Sequence, residues 1–558
     1  MQTDGTSHPT WSRESIAELS GYAAAAQATG KSQRQTAEAL GVPRSTLQDW
    51  ETHRRQLEAR TSTATVAFFE SVEGVAFLSA LVVALHVVVG LGLGAGAGPI
   101  AQVIELTGLS PFVANSLSTH QRLAISLETE VRHFGREERA RLGSAMKSKD
   151  ITVCADETFF PQPCMVAIEP NSNFILAEKL VNERDRATWD TTIKEATDGL
   201  PVRVVQSTAD EGAALRSHAR GLGAHHSPDL FHVEHEVCGA VALALTRQVR
   251  SASEAADEAE QAAKDVVAER DAYVASEPRP GRPPNWDQRI ADADDGVILA
   301  NMAHADANAR RESFLEAVRG LSTAYHPVDL ETGTLLTDIE VERRLLGHFD
   351  TIDTVANDAN LSERAKASID KARRVVPAMK ATISFVADNV RVRVQDLGLS
   401  EIIARVVTED LVPAAYLERV ANRAPTAVCR DALRALAHEK RTSAICRAPE
   451  LATLAEAQRD RICCVATEAA HIFQRSSSCV EGRNGQLSLR YHHLPSLTPE
   501  RLEAYTVLHN FFAKRPDGTT AAQRFFGLTH RDLVEHLLLR APELARPRRR
   551  TPTTETLH

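Results

Sequence analysis

Residues 151–160, ITVCADETFF, set the middle of the chain apart from what precedes it. β-Branched and aromatic residues dominate, and the run carries Asp156 and Glu157 toward its end, so it reads as a strand ending in carboxylates. PCMVAIE (163–169) and FILAEKLV (174–181) read as two further strands, joined by a Pro-Asn-Ser-Asn turn at 170–173. A helix over about 187–196 follows, then the strand VRVVQS (202–207), a helix from Glu211 to about Arg220, and a closing strand at DLFHV (229–233). Three strands followed by two helix–strand units predict a mixed five-stranded sheet with flanking helices, an α/β core.

The whole chain has 558 residues, enough for roughly three to five domains. At 43% hydrophobic and 25% charged residues it is neither a collagen, a mucin stalk nor a disordered chain. The net charge of −10 gives no overall attraction to nucleic acid, yet the charge is uneven. Residues 251–277 hold eight acids against two bases, and residues 514–550 hold nine bases against four acids. Local fields of this kind are what a polyanion meets. None of the eight cysteines forms a C-x-x-C pair and no signal peptide is expected, which argues against a zinc ribbon or disulfide framework and for a reducing cytoplasm. Residues 74–104 lack any Asp, Glu, Lys or Arg before Glu105's neighbourhood is reached, and 75–98 is long enough to span a bilayer. His86 in its middle, the Gly-rich second half and the absence of Lys or Arg before Arg122 favour a buried core helix and no membrane partner.

Near the N-terminus, KSQRQTAEALGVPRSTLQDWETHRR (31–55) has the layout of a helix-turn-helix. One helix would run over 32–40, Gly41-Val42 would turn, and Pro43 would start the second helix. Ala37, Leu40, Val42, Leu47 and Trp50 would share a core, leaving Arg44, Ser45, Thr46 and Gln48 to face DNA bases or phosphates. A weaker copy lies in PIAQVIELTGLSPFVANSLSTHQR (99–122), with a turn at Gly108-Leu109 and Pro111 opening a helix that carries Asn115, Ser116, Ser118 and His120.

Beyond Glu234 the pattern is helical for more than two hundred residues. An acidic, Ala-rich helix over 253–276 is broken by EPRPGRPPNW (277–286), and long amphipathic segments then resume through 361–379 and 459–475. The acidic helix is expected to face solvent or a protein, with basic groups in 366–374 and at Arg391 and Arg393 left for DNA or a second subunit. The end, PRRRTPTTETLH, reads as a basic disordered tail.

Asp156 ends the first strand and Asp210 follows the fourth, so adjacent strands would bring the two carboxylates together. Two such anions repel unless a divalent cation sits between them, and Mg²⁺ prefers a few carboxylates plus water. In SSSCVEGRNGQLSLRYHHL (476–494), Glu481, Asn484 and Leu487-Ser488 share one helical face. Glu481 would complete a two-metal site for in-line attack on a phosphate. Arg483 and Arg490 flank that face, where they could hold phosphates. Glu157 competes with Asp156 for the first position. Asp229 competes with Asp210 for the second, Asp210 being preferred because it follows an apolar strand.

These residues resemble the DDE transposases of bacterial insertion sequences, which have an RNase H-like core. The tail carries most of the likeness. In CVEGRNGQLSLRYHHL the Glu is followed three residues later by Asn, and LEAYTVLHNFFAKRPDGTTAAQRFFG adds an Asn-containing helix and a D-G-T-T turn. The wide gap before Glu481 and the Asp229-Leu230-Phe231-His232 motif are similar to the hAT and Mutator-like subset, which has an all-helical insertion and a C/D-x-x-H motif. The resemblance implies a helix-turn-helix domain (1–62), a helical region (63–149), a core in two parts (150–238 and 471–545), an all-helical insertion (239–470) and a tail (546–558). It implies two Mg²⁺ ions, for which Mn²⁺ can substitute, held by Asp156, Asp210 and Glu481, with Arg483, Asn484 and Arg490 toward DNA and Asp229 and His232 as accessories. The partners it implies are double-stranded element ends, target DNA and a second copy of the chain, in the cytoplasm and on the nucleoid. A nuclease of the same fold without strand transfer, and a silent DNA-binding regulator, are the alternatives.

Overall fold

The computed structural model describes residues 11–160, 162–277, 281–493 and 497–542. Helices α1 (Arg13–Ala28), α2 (Gln33–Ala39) and α3 (Arg44–Glu58) form the N-terminal unit. Ser32 and Gln35 cap α2 reciprocally, and Gly41 turns the chain at φ 65°, a conformation that favours glycine. Ala23, Ala37, Val42 and Leu47 make the small core, with Trp11 edge-on to Trp50. At the start of α3, Arg44, Ser45 and Gln48 are exposed and Thr46 is half-buried.

Four helices follow: α4 (Thr63–Phe69), α5 (Val72–Leu85), which continues as a π-helix over His86–Gly92, α6 (Ala97–Leu106) and α7 (Leu117–Ala145). Among the described residues, Val72–Gly92 is the one helix long and apolar enough to cross a membrane by length and composition. Val75, Leu78, Val82, Val83, Val87 and Leu91 on it are buried, and buried His86 Nε2 lies 3.1 Å from His120 Nδ1 on α7. The second helix-turn-helix expected around 99–122 does not form. Pro111 sits in a turn, because Phe112 and Val113 are drawn into the core. The next helix starts only at Leu117, capped by Ser116, and His120 is stacked against His86 instead of facing outward.

The sheet has five strands, β1 (Lys149–Phe160), β2 (Gln162–Glu169), β3 (Phe174–Leu180), β4 (Val202–Ala209) and β5 (His225–Pro228), in the order β3-β2-β1-β4-β5. β1–β2 and β2–β3 are antiparallel, whereas β1–β4 and β4–β5 are parallel. Helices α8 (Arg186–Thr197) and α9 (Ala213–Gly221) complete the flanking pattern. Trp189 and Ile193 of α8 share a core with Ile151, Val153 and Ala155 of β1 and with Leu123, Val131 and Phe134 of α7.

The closing strand is not DLFHV. It is the polar run His225–Pro228, and Asp229 instead caps α10 (Leu230–Ala275), accepting from Phe231 N at 2.8 Å. Leu230, Val233, Val237, Val241 and Leu245 recur at helical spacing and are all buried, so a helix wins over a strand there.

Helix α10 packs along α11 (Trp286–Ala324). Then come α12 (Asp338–Asp358), α13 (Glu363–Arg373), α14 (Val376–Gln395), α15 (Glu401–Val406), a short π-helix (Val407–Leu411) and α16 (Val412–Ala421). Helices α17 (Ala427–Arg447), α18 (Glu450–Thr453) and α19 (Glu456–Ile472) end this region. Its core is built wholly from residues between Leu230 and Phe473. The acidic half of α10 lies outside that core, and its last buried residues are Leu245 and Ala256. The basic residues expected to reach DNA are largely paired within the chain. Lys371 bonds Glu236, Arg373 bonds Asp350 and Asp353, Arg391 bonds Asp388, and Arg393 bonds Asp150 and Glu468.

Four helices close the fold: α20 (Ser478–His493), α21 (Pro499–Phe511), α22 (Ala521–Phe526) and α23 (Leu533–Arg540). Val480 and Leu487 of α20 pack on Cys154, Cys164, Val166 and Ile168, on the sheet face away from α8. Helices α21 to α23 return to the α7 side, where α7 and α21 approach so closely that a Cβ on Gly135 would lie 2.3 Å from Val507 Cγ2. The tail 546–558 lies outside the described residues.

Candidate active site

Strand register brings three aspartates into one row. The β1–β4 register pairs Cys154 with Thr208, and the β4–β5 register pairs Ala209 with Pro228. Carried one or two residues further, these registers set Asp156 beside Asp210 and Asp210 beside Asp229. Asp156 is not at the end of its strand, as the sequence suggests. It lies inside β1 opposite Val166 of β2, because β1 outlasts β4 and keeps pairing with β2 as far as Phe160. Alternation along β1 then separates the two acids there. Asp156 faces α20, whereas Glu157 faces α8 and accepts from Trp189 Nε1 at 3.0 Å, with Arg184 3.6 Å away. Glu157 is therefore no rival for the site.

Glu481 reaches Asp156 from the first turn of α20, and His232 reaches both from the first turn of α10. One ligand atom each of Asp156, His232 and Glu481 lies within 4.8 Å of the other two. His232 Nε2 is 3.7 Å from Glu481 Oε1 and 3.8 Å from Asp229 Oδ2. It is shielded from solvent and has no hydrogen-bond partner among the described residues. Burial pushes the Asp156 carboxyl up to about 7, and the charges of Glu481 and Asp210 push the same way. An orphaned imidazole nitrogen between carboxylates that resist ionising together is an arrangement short of one positive charge, so these residues fit a divalent cation.

The two remaining aspartates differ. Asp210 stands just past β4, half-buried, with Oδ1 accepting from Gly212 N at 2.9 Å. It is near enough to act on Asp156 electrostatically but is outside the trio. Asp229 follows a strand as Asp210 does, so the strand argument does not separate them. Burial does: the Asp229 side chain is fully enclosed and accepts from Phe231 N and from the Ser477 hydroxyl. That makes Asp229 a fastening between α10 and the segment leading into α20.

The residues flanking Glu481 are not where a DNA contact would need them. Arg483 is buried against Glu178 of β3, its Nε and Nη2 each donating at 2.7 Å, with its guanidinium 4.0 Å from the Tyr505 ring centre. Arg490 is also buried, with its guanidinium 4.0 Å from the same ring centre, and donates to Gly92 O at 3.2 Å. Asn484 donates to Asp156 Oδ2 at 2.9 Å and so orients a site carboxylate. Helical spacing correctly put Asn484 on the Glu481 face, but it carried no sign of Glu178, Tyr505 or Asp156 as the partners.

Residues 407–553, from the end of the helical region through α20 and beyond, match a family of unknown function (DUF6399). No curated protein sequence matches the chain.

Proposed function

We propose that the protein is a DNA transposase with an RNase H-like core that cuts element ends and joins them to target DNA. The observation that carries the reading is the convergence of Asp156, Glu481 and His232, with Asp210 alongside, from distant parts of the sequence onto one end of a parallel strand pair. The strand order, an antiparallel β1-β2-β3 meander beside the parallel run β1-β4-β5, agrees with the core that the sequence resemblance implies. The exposed start of α3 supplies a surface suited to a major groove.

In this reading Asp156, Glu481 and Asp210 would hold the metal ions, their carboxylate oxygens suiting Mg²⁺ and Mn²⁺, and His232 would stand beside them with a nitrogen that Mg²⁺ accepts less readily than oxygen. Bound there, the ions would lower the pKa of the attacking water or 3′-hydroxyl and neutralise the leaving oxygen. Asn484 fixes the Asp156 carboxylate by its hydrogen bond, and Asp229 fixes the start of α10, and with it His232, through Ser477. Two ends must be cut together, so the protein works as a dimer or larger assembly on DNA, in the cytoplasm. The acidic half of α10 is poorly suited to lie along phosphates.

The test is cleavage and strand transfer on DNA carrying the inverted repeats that flank the gene, with Mg²⁺ or Mn²⁺. Asp156→Ala, Asp210→Ala and Glu481→Ala should each abolish cleavage and leave DNA binding intact. Undiminished cleavage by the Asp156 and Glu481 variants refutes the reading. Full activity in Asp210→Ala alone moves that role to Asp229, and cleavage without joining makes the protein a nuclease.

A further inference from the structure

A second set of ligand-type residues lies outside the cleft, where α23 crosses α7. Glu130 and His133 are one turn apart on α7 and so share a face, and His536 comes from α23. One donor atom from each lies within 4.8 Å of the other two. His536 is the telling member. Its side chain is 7% exposed, packed edge-on to Phe134 at 5.2 Å, and its Nε2 has no hydrogen-bond partner among the described residues. That nitrogen is 3.8 Å from Glu130 Oε2, too far for a hydrogen bond and close to the spacing of two ligands on one ion. With metal–ligand bonds near 2.0–2.2 Å, tetrahedral ligand atoms stand about 3.4 Å apart, a difference that side-chain rotation covers.

We propose that Glu130, His133 and His536 bind a borderline divalent cation such as Zn²⁺, clamping α23 onto α7. Two imidazoles and one carboxylate favour Zn²⁺ over Mg²⁺, in contrast to the oxygen-rich cleft. Glu137 Oε1 lies 3.5 Å from His133 Nδ1, and a carboxylate behind a ligating imidazole holds the ring in place. The guanidinium that acts most strongly on His536, that of Arg531, is itself ion-paired with Glu137 and Glu138, and Glu137 and Glu130 oppose it at the imidazole. A water would fill the fourth place. The ion would fasten α23 to the scaffold that carries the sheet, independently of any reaction in the cleft.

The experiment uses the full chain after chelator treatment, titrated with Zn²⁺ alone by calorimetry and with Co²⁺ followed by visible absorption. An Asp156→Asn/Glu481→Gln background removes binding in the cleft. In that background one Zn²⁺ per chain should still bind, Co²⁺ should give the intense bands of a four-coordinate site, and Zn²⁺ should raise the melting temperature. Adding His133→Ala, whose side chain is half exposed, or the isosteric Glu130→Gln should weaken Zn²⁺ roughly tenfold or more without changing near-UV circular dichroism. Failure of the folded background protein to bind Zn²⁺ overturns the proposal. So does Zn²⁺ binding that both added substitutions leave unchanged, because the ion must then sit on other histidines.

Discussion

Replacing Arg483 by Met separates two roles that the sequence leaves entangled. On phosphate duty, Arg483 would be exposed, and its removal would weaken DNA binding while sparing the fold. In the structure its side chain is 2% exposed and that of Glu178 is fully enclosed. The pair is bidentate, Glu178 also accepts from Thr506 Oγ1 at 2.6 Å, and Arg483 lies on Tyr505. The pair therefore ties α20 to β3 and to α21. Removing one partner strands a buried charge, which costs about 3–5 kcal/mol. Arg483→Met should lose that much stability, and Glu178→Gln a comparable amount. The double variant Arg483→Met/Glu178→Leu should recover most of it, since replacing both charges with apolar groups is often neutral. Urea unfolding followed by Trp189 fluorescence, with Trp11, Trp50 and Trp286 changed to Phe, reports on the core that holds Trp189. The reasoning fails if Arg483→Met unfolds within about 0.5 kcal/mol of the parent while its DNA affinity drops and the slope of affinity against salt falls by about one phosphate's worth.

Three further outcomes are expected. Arg44→Ala with Gln48→Ala should reduce discrimination between terminal-repeat and random DNA at fixed salt, by about 1–3 kcal/mol for each bidentate base pairing removed; an unchanged ratio would make the N-terminal unit structural. Burial above all holds His225, His471 and His509 at about 4, below the ordinary 6.5. The unfolded chain thus takes up protons first, and stability that is complete above pH 6.5 is lost as pH falls through 4, up to about 3 kcal/mol for each group. Asp156, pushed up to about 7, acts in the opposite direction, so urea midpoints should be measured in Asp156→Asn, where a flat profile from pH 7 to 5 contradicts the expectation. Gly135→Ala should destabilise by about 1–3 kcal/mol, because its Cβ meets Val507 at the α7–α21 crossing; a double variant with Val507→Ala should regain part of that stability.

How much of this was legible in the sequence depended on where each residue found its partner. β1 to β3 are readable because their apolar residues face cores on both sides of the sheet, and β4 because Val202, Val204 and Ala209 face one of them. β5 was not, because His225-His226-Ser227-Pro228 is buried by polar and aromatic groups remote in sequence. Ser227 Oγ accepts from Gln206, His225 Nε2 is 3.0 Å from Thr382 Oγ1, and the His225 ring stacks on Phe385 at 4.4 Å. Without that strand, the apolar residues of DLFHV read as a strand, although they are the first turn of a helix. Asp156 and Glu481 could be singled out by residue type and spacing. The enclosure of Arg483 and Arg490 could not, since Glu178 and Tyr505 announce nothing about a partner in α20. The cluster of Glu130, His133 and His536 is illegible for the same reason: Glu130 and His133 share a helix face, but nothing in the sequence places His536 beside them.

The assembly of the cleft across the long helical region follows from how its two ends are held. Loop closure costs only about 0.6 kcal/mol more for each doubling of length, so length is no obstacle if the inserted chain folds upon itself, and its separate core shows that it does. What remains is to return the chain to the sheet at the right place. Leu230 N donates to Arg475 O at 3.0 Å, and the Ser477 hydroxyl donates to Asp229. Thr152 Oγ1 donates to Ile472 O at 3.1 Å, and Gln206 Nε2 and Thr208 Oγ1 both donate to Gln474 O at 3.2 Å. From within the inserted region, Arg419 holds the carbonyls of Ala470 and Phe473. The segment 472–477 is thus laid along β1 and β4 by side chains of the strands themselves, and α20 starts at Ser478 with Glu481 in its first turn. Because His232 stands in the first turn of α10, beginning at the same junction, one set of hydrogen bonds places both groups beside Asp156. The inserted helices can vary in length or content without moving the site so long as the bonds around Asp229, Arg475 and Ser477 persist and Arg419 keeps its hold on Ala470, Phe473 and Gln474.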